Sequence, residues 1–225
     1  PALANNTATH FNSIKANEGY TEIFDKRGGI QDEVIVAVID TGVQLQHPDL
    51  IGNLWVNEDE VPNNGNDDDG NGYVDDIHGW NFIDNTNNPN PATGTGNKHG
   101  THVAGLIAAV GNNAAGTAGI NYSHAKIMSL NVFGNTTTSS GDALVSSIYY
   151  AAANGAKIIN MSLSTYDNVP VIEDAIADVV RMGVLVVAAS GNDGIDSNTR
   201  PGYPAYYTKA SFTRTTAGVL SVGAT

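Results

Sequence analysis

The chain has 225 residues, of which 41% are hydrophobic, and this is enough for one domain with a substantial core. Ten basic residues stand against 23 acidic ones, and the net charge of −13 argues against nucleic acid as a partner, because binding to phosphates needs Lys and Arg. Cysteine is absent, which excludes disulfides and thiolate metal sites, and no apolar run reaches the ~20 residues that span a bilayer.

Strands and helices are predicted to alternate after a polar N-terminal stretch that is amphipathic near residues 14–24. Continuous apolar, β-branched runs are typical of strands buried on both faces of a parallel sheet. Between them lie helical patterns, two of which end at a glycine, Gly155 and Gly183. The predicted fold class is therefore α/β, with a parallel sheet flanked by helices. The predicted strands are residues 34–39, 126–132, 157–161, 184–189 and 219–222, and the predicted helices are 99–110, 142–154 and 171–182.

The helix predicted at 99–110 carries Val103, Ile107 and Val110 on one face. Ahead of it, residues 57–97 are rich in Asn, Asp, Gly and Pro. Such a segment buries too little apolar surface to order itself, so it is expected to be mobile or to be held by an ion.

Within that segment, residues 66–76 have the alternating oxygen ligands of a calcium loop. Asp67 occupies position 1 of such a loop, and Gly72 at position 6 permits the turn. Position 12 is His78 instead of a bidentate Glu, so the loop is not a complete EF-hand. A solvated acidic turn is the alternative, but five acids within the ten residues 67–76 repel one another strongly without a cation, which favours Ca²⁺. The predicted ligands are Asp67, Asp69, Asn71, the carbonyl of Tyr73, Asp75 and Asp76.

Three polar residues that are far apart in sequence are expected to converge at one edge of the sheet. Asp40 stands at the carboxyl end of the first predicted strand, and Asn192 follows the end of the fourth. His99 begins a predicted helix, and its exposed first turn can face the same crevice. Since sites in open parallel sheets form at the carboxyl ends of the strands, the topology predicts a functional site here.

These residue types suit hydrolysis of a peptide bond by a serine. A serine hydroxyl needs an imidazole such as that of His99 to accept its proton, and the imidazole needs a buried carboxylate such as Asp40 to fix its tautomer. The side-chain amide of Asn192 can donate to the oxyanion of the tetrahedral intermediate. Taken singly, each has an ordinary structural explanation: a strand-end Asp, a helix-capping His and a turn Asn.

Three motifs in one order resemble the subtilisin family of serine proteases. They are Val-Ala-Val-Ile-Asp-Thr-Gly at 36–42, His-Gly-Thr-His-Val-Ala-Gly at 99–105 and Ala-Ala-Ser-Gly-Asn-Asp at 188–193. The resemblance implies a three-layer fold in which Asp40 and His99 belong to the catalytic triad and Asn192 is the oxyanion donor. It implies a structural role for His102.

The nucleophilic serine expected from this resemblance is not found, because no Gly-Thr-Ser-Met-Ala-like segment occurs in the 225 residues. We therefore expect residues 1–225 to form one incomplete peptidase domain. Three explanations compete: a nicked enzyme whose serine lies on a companion chain, a longer protein whose C-terminal segment carries it, or a non-catalytic pseudoprotease. A calcium-binding surface module is a further alternative, although it leaves the histidine motif unexplained.

The resemblance also implies a substrate groove for proteins or peptides. The segment Asn-Met-Ser-Leu at 160–163 matches the strand that lines the family's specificity pocket, but Ser164 replaces the usual glycine there. Residues 202–205, Gly-Tyr-Pro-Ala, resemble the base of that pocket, where a cis Tyr203–Pro204 bond is expected. Residues 134–141 resemble the edge that pairs with an extended substrate, with a plain surface loop as the equal alternative. The predicted substrate-binding residues are Gly134, Ser162, Leu163, Ser164, Ala189 and Gly191.

A second calcium site is implied by the same resemblance. Asp49 matches a calcium-binding Asp of the family, and Asn113 lies in the loop 111–119 that completes such a site, with carbonyls near Ala115 and Thr117. A helix cap is the alternative for Asp49. The resemblance further implies a secreted protein and a propeptide partner. The first residues lack the pattern of a signal peptide, so any targeting segment is expected to have been removed or never to have been present.

Overall fold

The computed structural model describes residues 13–22, 32–93, 97–208 and 218–223. Within them lie four α-helices and six strands. The helices are α1 (Ala16–Tyr20), α2 (His99–Ala108), α3 (Gly141–Ala153) and α4 (Pro170–Arg181). The strands are β1 (Val34–Asp40), β2 (Gly79–Asn81), β3 (Ala125–Asn131), β4 (Ile158–Met161), β5 (Leu185–Ala189) and β6 (Leu220–Val222).

The six strands form one parallel sheet in the order β2-β3-β1-β4-β5-β6. The register pairs Asp40 at the end of β1 with Asn131 at the end of β3. The fold is therefore the α/β class predicted from the sequence, and the strand that carries Asp40 lies near the middle of the sheet.

The side chains of β1 alternate between two cores, one on each face of the sheet. Val36 and Val38 pack with Ala104 and Ala108 of α2, whereas Ile39 belongs to the larger core that α3 and α4 cover. Because both faces of the sheet are covered, the strands are continuous apolar runs, as all-parallel sheets require. The arrangement has three layers.

Helix α2 differs from its sequence prediction in the face that it buries. Val103, Ile107 and Val110 are only half-buried, whereas Gly100, Thr101, Ala104 and Ala108 are fully buried. The reason is the close approach of this helix to the sheet, which leaves room for small side chains alone. Hydrophobic periodicity misses such a contact because it weights large apolar residues.

The remaining predictions of elements agree with the structure within one or two residues. Helix α3 begins at Ser140, whose hydroxyl accepts a hydrogen bond from the amide of Ala143, 3.1 Å away. Gly155 and Gly183 follow α3 and α4 with φ angles of +81° and +91°, the left-handed conformation that favours glycine. None of the helices in the described ranges is long and apolar enough to cross a membrane.

The sequence did not predict α1 in detail, nor β2. Helix α1 lies in the stretch predicted to be amphipathic, residues 14–24, of which 23 and 24 fall outside the described residues. Strand β2 lies inside the acidic segment 57–97 and has three residues, which is too short to show a period. It is a strand because its residues pair with Ser129, Leu130 and Asn131 of β3.

Candidate functional site

Asp40 and His99 meet at the carboxyl end of β1. The Asp40 side chain is 1% exposed, and its two carboxylate oxygens lie 2.8 and 2.9 Å from Nδ1 of His99. The side chain of His99 is 54% exposed at the start of α2, so a buried carboxylate holds an imidazole that reaches solvent. This is the geometry of a carboxylate that orients a general base.

Backbone packing fixes this pair in place. The backbone N–H of Thr41 donates to Oδ1 of Asp40 at 2.7 Å, and the hydroxyl of Thr41 accepts the N–H of Gly100 at 3.0 Å. A Cβ on Gly100 would lie 2.5 Å from the carbonyl oxygen of Gly42 and 3.1 Å from Cβ of Asp40. The glycine after His99 therefore lets the helix start against the carboxylate. His102, on the same helix, is exposed.

Asn192 lies on an exposed loop that follows β5, as the sequence predicted. The loop borders a cavity of about 370 Å³ whose walls include Ser164, Gly191, Asn192 and Gly202. The cavity thus brings the predicted amide donor together with two of the predicted substrate-binding residues. Asn192 stands two strands along the sheet from Asp40, at the same carboxyl edge.

The other predicted groove residues on this side precede the lining residues Ser164 and Ser190 in the chain. The hydroxyl of Ser162 accepts a hydrogen bond from the side-chain amide of Asn160 at 2.9 Å. Leu163 packs against the larger core, and Ala189 is the last residue of β5. The Tyr203–Pro204 peptide bond is cis, which confirms the expectation for the base of the pocket.

Gly134 lies on the other side of the site, beyond the end of β3. Its φ is +54°, and its backbone N–H donates to Oδ1 of Asn131 at 2.9 Å. The amide of Asn131 also donates to the carbonyl of Asn90 at 3.1 Å. Asn131, which the sequence analysis overlooked, therefore holds the start of this edge. A polar residue at the end of a buried strand, beside Asp40, was the available signal.

The acidic segment is densely hydrogen-bonded around three carboxylates. Oxygens of Glu60, Asp67 and Asp69 all lie within 4.8 Å of one another. The backbone N–H of Gly72 is the main cause of a lowered pKa at Asp67, with further help from the amides of Gly70 and Asn71. Asp67 is therefore anionic at neutral pH, and its carboxylate lies beside those of Glu60 and Asp69.

Glu60 is the residue that the linear motif could not reveal. It is 5% exposed, and its carboxylate accepts the backbone N–H groups of Asp68, Asp69 and Asp75. Glu60 lies seven positions before Asp67, which is position 1 of the calcium-loop motif, so only the folded loop shows that the two carboxylates are close. In the sequence, Glu60 was visible only as one more acidic residue in an acidic segment.

The other predicted ligands occupy different positions in the loop. Asn71 donates its side-chain amide to Asp69 and to Asp76 at 2.9 and 3.0 Å. Asp75 accepts the backbone N–H groups of Asn64 and Gly65. His78, at motif position 12, lies with Nδ1 2.7 Å from the carbonyl oxygen of Trp55.

The loop is also anchored to the core, which the sequence analysis did not expect. The ring of Tyr73 packs edge-on against Trp80, Phe82 and Tyr150, with centroids 4.9 to 5.8 Å apart. Asp76 is fully buried and accepts the hydroxyl of Tyr150, on α3, at 2.5 Å. Burial, followed by the charge of Asp76, raises the pKa of Tyr150, so its hydroxyl stays protonated as the donor. Segment 57–97 was predicted to be either mobile or held by an ion. Packing of Tyr73 against aromatic residues of the core is a third means of holding it.

Asp49 and Asn113, the second predicted calcium site, are in direct contact. The amide of Asn113 and the backbone N–H of Thr117 donate to the two carboxylate oxygens of Asp49 at 2.7 and 2.8 Å. A Cβ on Gly116 would lie 2.1 Å from Asp49 Oδ2. Asp49 is 3% exposed and fastens the loop after α2.

Comparison with known proteins identifies the family of this chain. The subtilase family matches residues 31–225. Thermitase of Thermoactinomyces vulgaris is 38% identical over 175 residues, covering 78% of this chain and 52% of that protein. Subtilisin-like protease 1 of Plasmodium berghei is 35% identical, covering 70% of this chain and 26% of that protein.

A solved structure shows the same fold. It is the crystal structure of fervidolysin from Fervidobacterium pennivorans, a keratinolytic enzyme related to subtilisin, with a TM-score of 0.57 and 29% identity. The match covers 79% of this chain and 24% of that one. The chain belongs to the subtilase family. It spans about half or less of the length of thermitase and subtilisin-like protease 1.

Proposed function

We propose that this chain is the larger part of a serine endopeptidase domain that hydrolyses peptide bonds through an acyl-enzyme. The observation that carries the proposal is the contact between the buried carboxylate of Asp40 and Nδ1 of the exposed His99. A carboxylate removed from water beside one ring nitrogen fixes the tautomer, so that the other nitrogen, Nε2, is the proton acceptor.

Each of these residues then has a defined role in the reaction. His99 takes the proton of the serine hydroxyl as the oxygen attacks the peptide carbonyl, and Asp40 stabilises the imidazolium that forms. The amide of Asn192 donates to the oxyanion, and His99 returns the proton to the leaving amine. Water repeats the sequence to release the acyl group. The cavity beside Asn192 receives the side chain of the residue whose carbonyl is attacked.

The serine itself must come from outside residues 1–225. We propose that a C-terminal segment or a companion chain supplies it, because the family's serine motif is absent from these residues. The proposed substrate-binding residues remain Ser162, Leu163, Ser164, Ala189, Gly191 and Gly134. The substrates are proteins or peptides.

We also propose that the acidic loop binds Ca²⁺ through Glu60, Asp67 and Asp69. Three carboxylates within 4.8 Å fit the preference of this hard cation for oxygen ligands. The ion would supply charge neutralisation, and hence stability, to the loop. Asn71, Tyr73, Asp75 and Asp76 stay predicted ligands, as do Asp49 and Asn113 for a second ion. A calcium-dependent loop suits a secreted protein, since extracellular calcium sites work at high free concentrations.

The test of activity uses the complete protein that includes the serine. Asp40→Asn or His99→Ala is expected to lower kcat by about 10⁴-fold, the scale of carboxylate loss in serine proteases. Asn192→Ala is expected to cost about 10²–10³-fold, because other donors to the oxyanion remain. His102→Ala is the matched control on the same helix.

Two outcomes would contradict the proposal. Loss of activity in His102→Ala with His99→Ala spared would show that the base is misassigned. Reaction of a serine-directed phosphonate with the isolated 225-residue chain would show that the nucleophile lies within it. The alternative supported by the acidic loop is a calcium-binding module without catalytic activity. Under that alternative, the complete protein binds calcium fully and hydrolyses no peptide.

A further inference from the structure

The loop that carries Asn192 has little packing of its own. Residues 191–200 are all exposed. Gly191 and Gly194, on either side of Asn192, have φ angles of +106° and +64°, which a residue with a side chain rarely adopts. The side chain that is proposed to present its amide to a developing charge therefore stands on an exposed loop with little packing around it.

One side chain connects this loop to a fixed part of the fold. The hydroxyl of Tyr166 donates a hydrogen bond to Oδ2 of Asp193, the residue next to Asn192. Tyr166 follows the strand that leads into the groove through Ser162 and Ser164. The hydrogen bond thus joins the two walls of the cavity beside Asn192.

Tyr166 is in turn held from two sides. Its neighbour Thr165 exchanges two backbone hydrogen bonds with Tyr203, at 2.9 and 2.8 Å, in an antiparallel bridge. The guanidinium carbon of Arg200 lies 3.5 Å from the centroid of the Tyr166 ring, a cation–π contact. Arg200 lies on the segment by which the same loop returns to the core. The ring of Tyr166 therefore contacts both the outgoing and the returning parts of the loop.

We propose that Tyr166 is a positioning residue for Asn192, acting through Asp193, and that Arg200 holds the ring in place. The proposal rests on the proposed function, because it assumes that Asn192 donates to an oxyanion. An amide fixed before the charge develops stabilises it without the cost of reorganisation, so loss of the tether lowers the rate of the chemical step. Ground-state binding of an extended peptide depends much less on it.

The test is a double-mutant cycle in the complete protein, with kcat and KM measured on one peptide substrate. Tyr166→Phe keeps the ring and its contact with Arg200 but removes the hydroxyl. We expect kcat to fall by roughly five- to tenfold, within the range of coupled neighbours, with KM changed by less than about twofold. In the Asn192→Ala background the same substitution is expected to change kcat by less than about twofold, because the amide it positions is gone.

A matched control exists among residues that do not line the cavity. Tyr149, on α3, is also exposed and donates its hydroxyl to Asp178 at 2.8 Å, and Asp178 contacts Arg181. Tyr149→Phe removes a similar Tyr–Asp hydrogen bond and is expected to leave kcat unchanged. Asp193→Asn keeps an oxygen that accepts from Tyr166 and is expected to lose less activity than Tyr166→Phe.

The outcomes separate the two proposals. Equal effects of Tyr166→Phe in the wild-type and Asn192→Ala backgrounds, or an effect on KM alone, would overturn the positioning role and leave the proposed function intact. Full turnover by Asn192→Ala would overturn the oxyanion assignment and the positioning role together. The melting curve of each variant identifies any loss of activity that comes from unfolding. If Tyr166→Phe lowers Tm but leaves kcat unchanged at temperatures where the protein is folded, the positioning role of Tyr166 is also overturned.

Discussion

The two halves of the candidate site are built in contrasting ways. The acid–base half, Asp40 with His99, is held by a central strand, a helix and backbone contacts at van der Waals limits. The proposed oxyanion half, Asn192, stands on a loop whose residues 191–200 are all exposed and whose Asp193 accepts a hydrogen bond from Tyr166. A general base, the role proposed for His99, needs one orientation, and this support provides it.

The two halves also differ in how their neighbouring loops connect to the core. The acidic loop leads into β2, which pairs with β3 beside Asp40, and it reaches the core through Tyr73 and Asp76. The loop of Asn192 returns to the core at Tyr207, which is 4% exposed. We therefore expect cation binding to act on the first half and substitutions in the exposed loop to affect the rate with little effect on stability.

Among the substitutions of residues that only support the two halves, the largest effect is expected from Gly100→Ala. The new methyl would meet the backbone carbonyl of Gly42 at 2.5 Å, which no side-chain rotation relieves, so the start of α2 must shift away from Asp40. A misplacement of this kind costs roughly 10²-fold in kcat, which steady-state kinetics of the complete protein would measure.

Gly105→Ala, on the same helix, is the control for this substitution. A Cβ at Gly105 meets nothing within 4 Å, so kcat should be unchanged and helix propensity should add up to about 1 kcal/mol of stability. Equal turnover by the two variants would mean that the close packing at Gly100 does not hold the triad.

Removal of calcium should increase proteolysis near the half that contains Asp40 and His99 and leave proteolysis of the Asn192 loop unchanged. Binding to the folded state alone stabilises it by about 2.7 kcal/mol when calcium is a hundredfold above Kd. A chelator should therefore lower Tm and increase cleavage within residues 57–97, while cleavage within 191–200 stays the same. Melting curves and mass spectrometry of the fragments measure both.

Glu60→Gln and the pair Asp67→Asn with Asp69→Asn should reproduce most of the calcium effect in excess calcium. Asp196→Asn, in the exposed loop, is the matched control and should keep the full calcium response. Trp80 packs against Tyr73, so its fluorescence reports the loop directly. Identical melting curves with and without chelator would contradict the calcium proposal.

The smallest effect is expected in alkali, where the exposed loop rejoins the core. Burial raises the pKa of Tyr207 from 10.0 to about 12. Because the folded pKa is the higher one, this contribution to stability is present below pH 10 and is lost as the pH rises towards 12. Urea denaturation at pH 9 and at pH 11.5 should show a steeper loss for the wild type than for Tyr207→Phe. Parallel pH dependence of the two proteins would exclude Tyr207 as the cause.

The fold class, five of the six described strands and the approach of Asp40 to His99 could be predicted from the sequence alone. Buried parallel strands need continuous apolar runs, and polar residues that follow such runs must lie at one edge, so Asp40 and Asn192 were predictable. His99 followed from its motif. Local turn chemistry likewise predicted the glycines after α3 and α4, because few other residues adopt a positive φ there.

The neighbours of these residues depend on how the elements pack in three dimensions. Strand β2 exists because β3 offers it a partner, and α2 buries small residues because it approaches the sheet closely. Glu60, Tyr150 and Tyr166 enter the sites from positions outside every motif, through contacts that chain spacing does not encode. A sequence pattern records which side chains share one element, whereas a hydrogen bond between distant elements depends on how those elements pack.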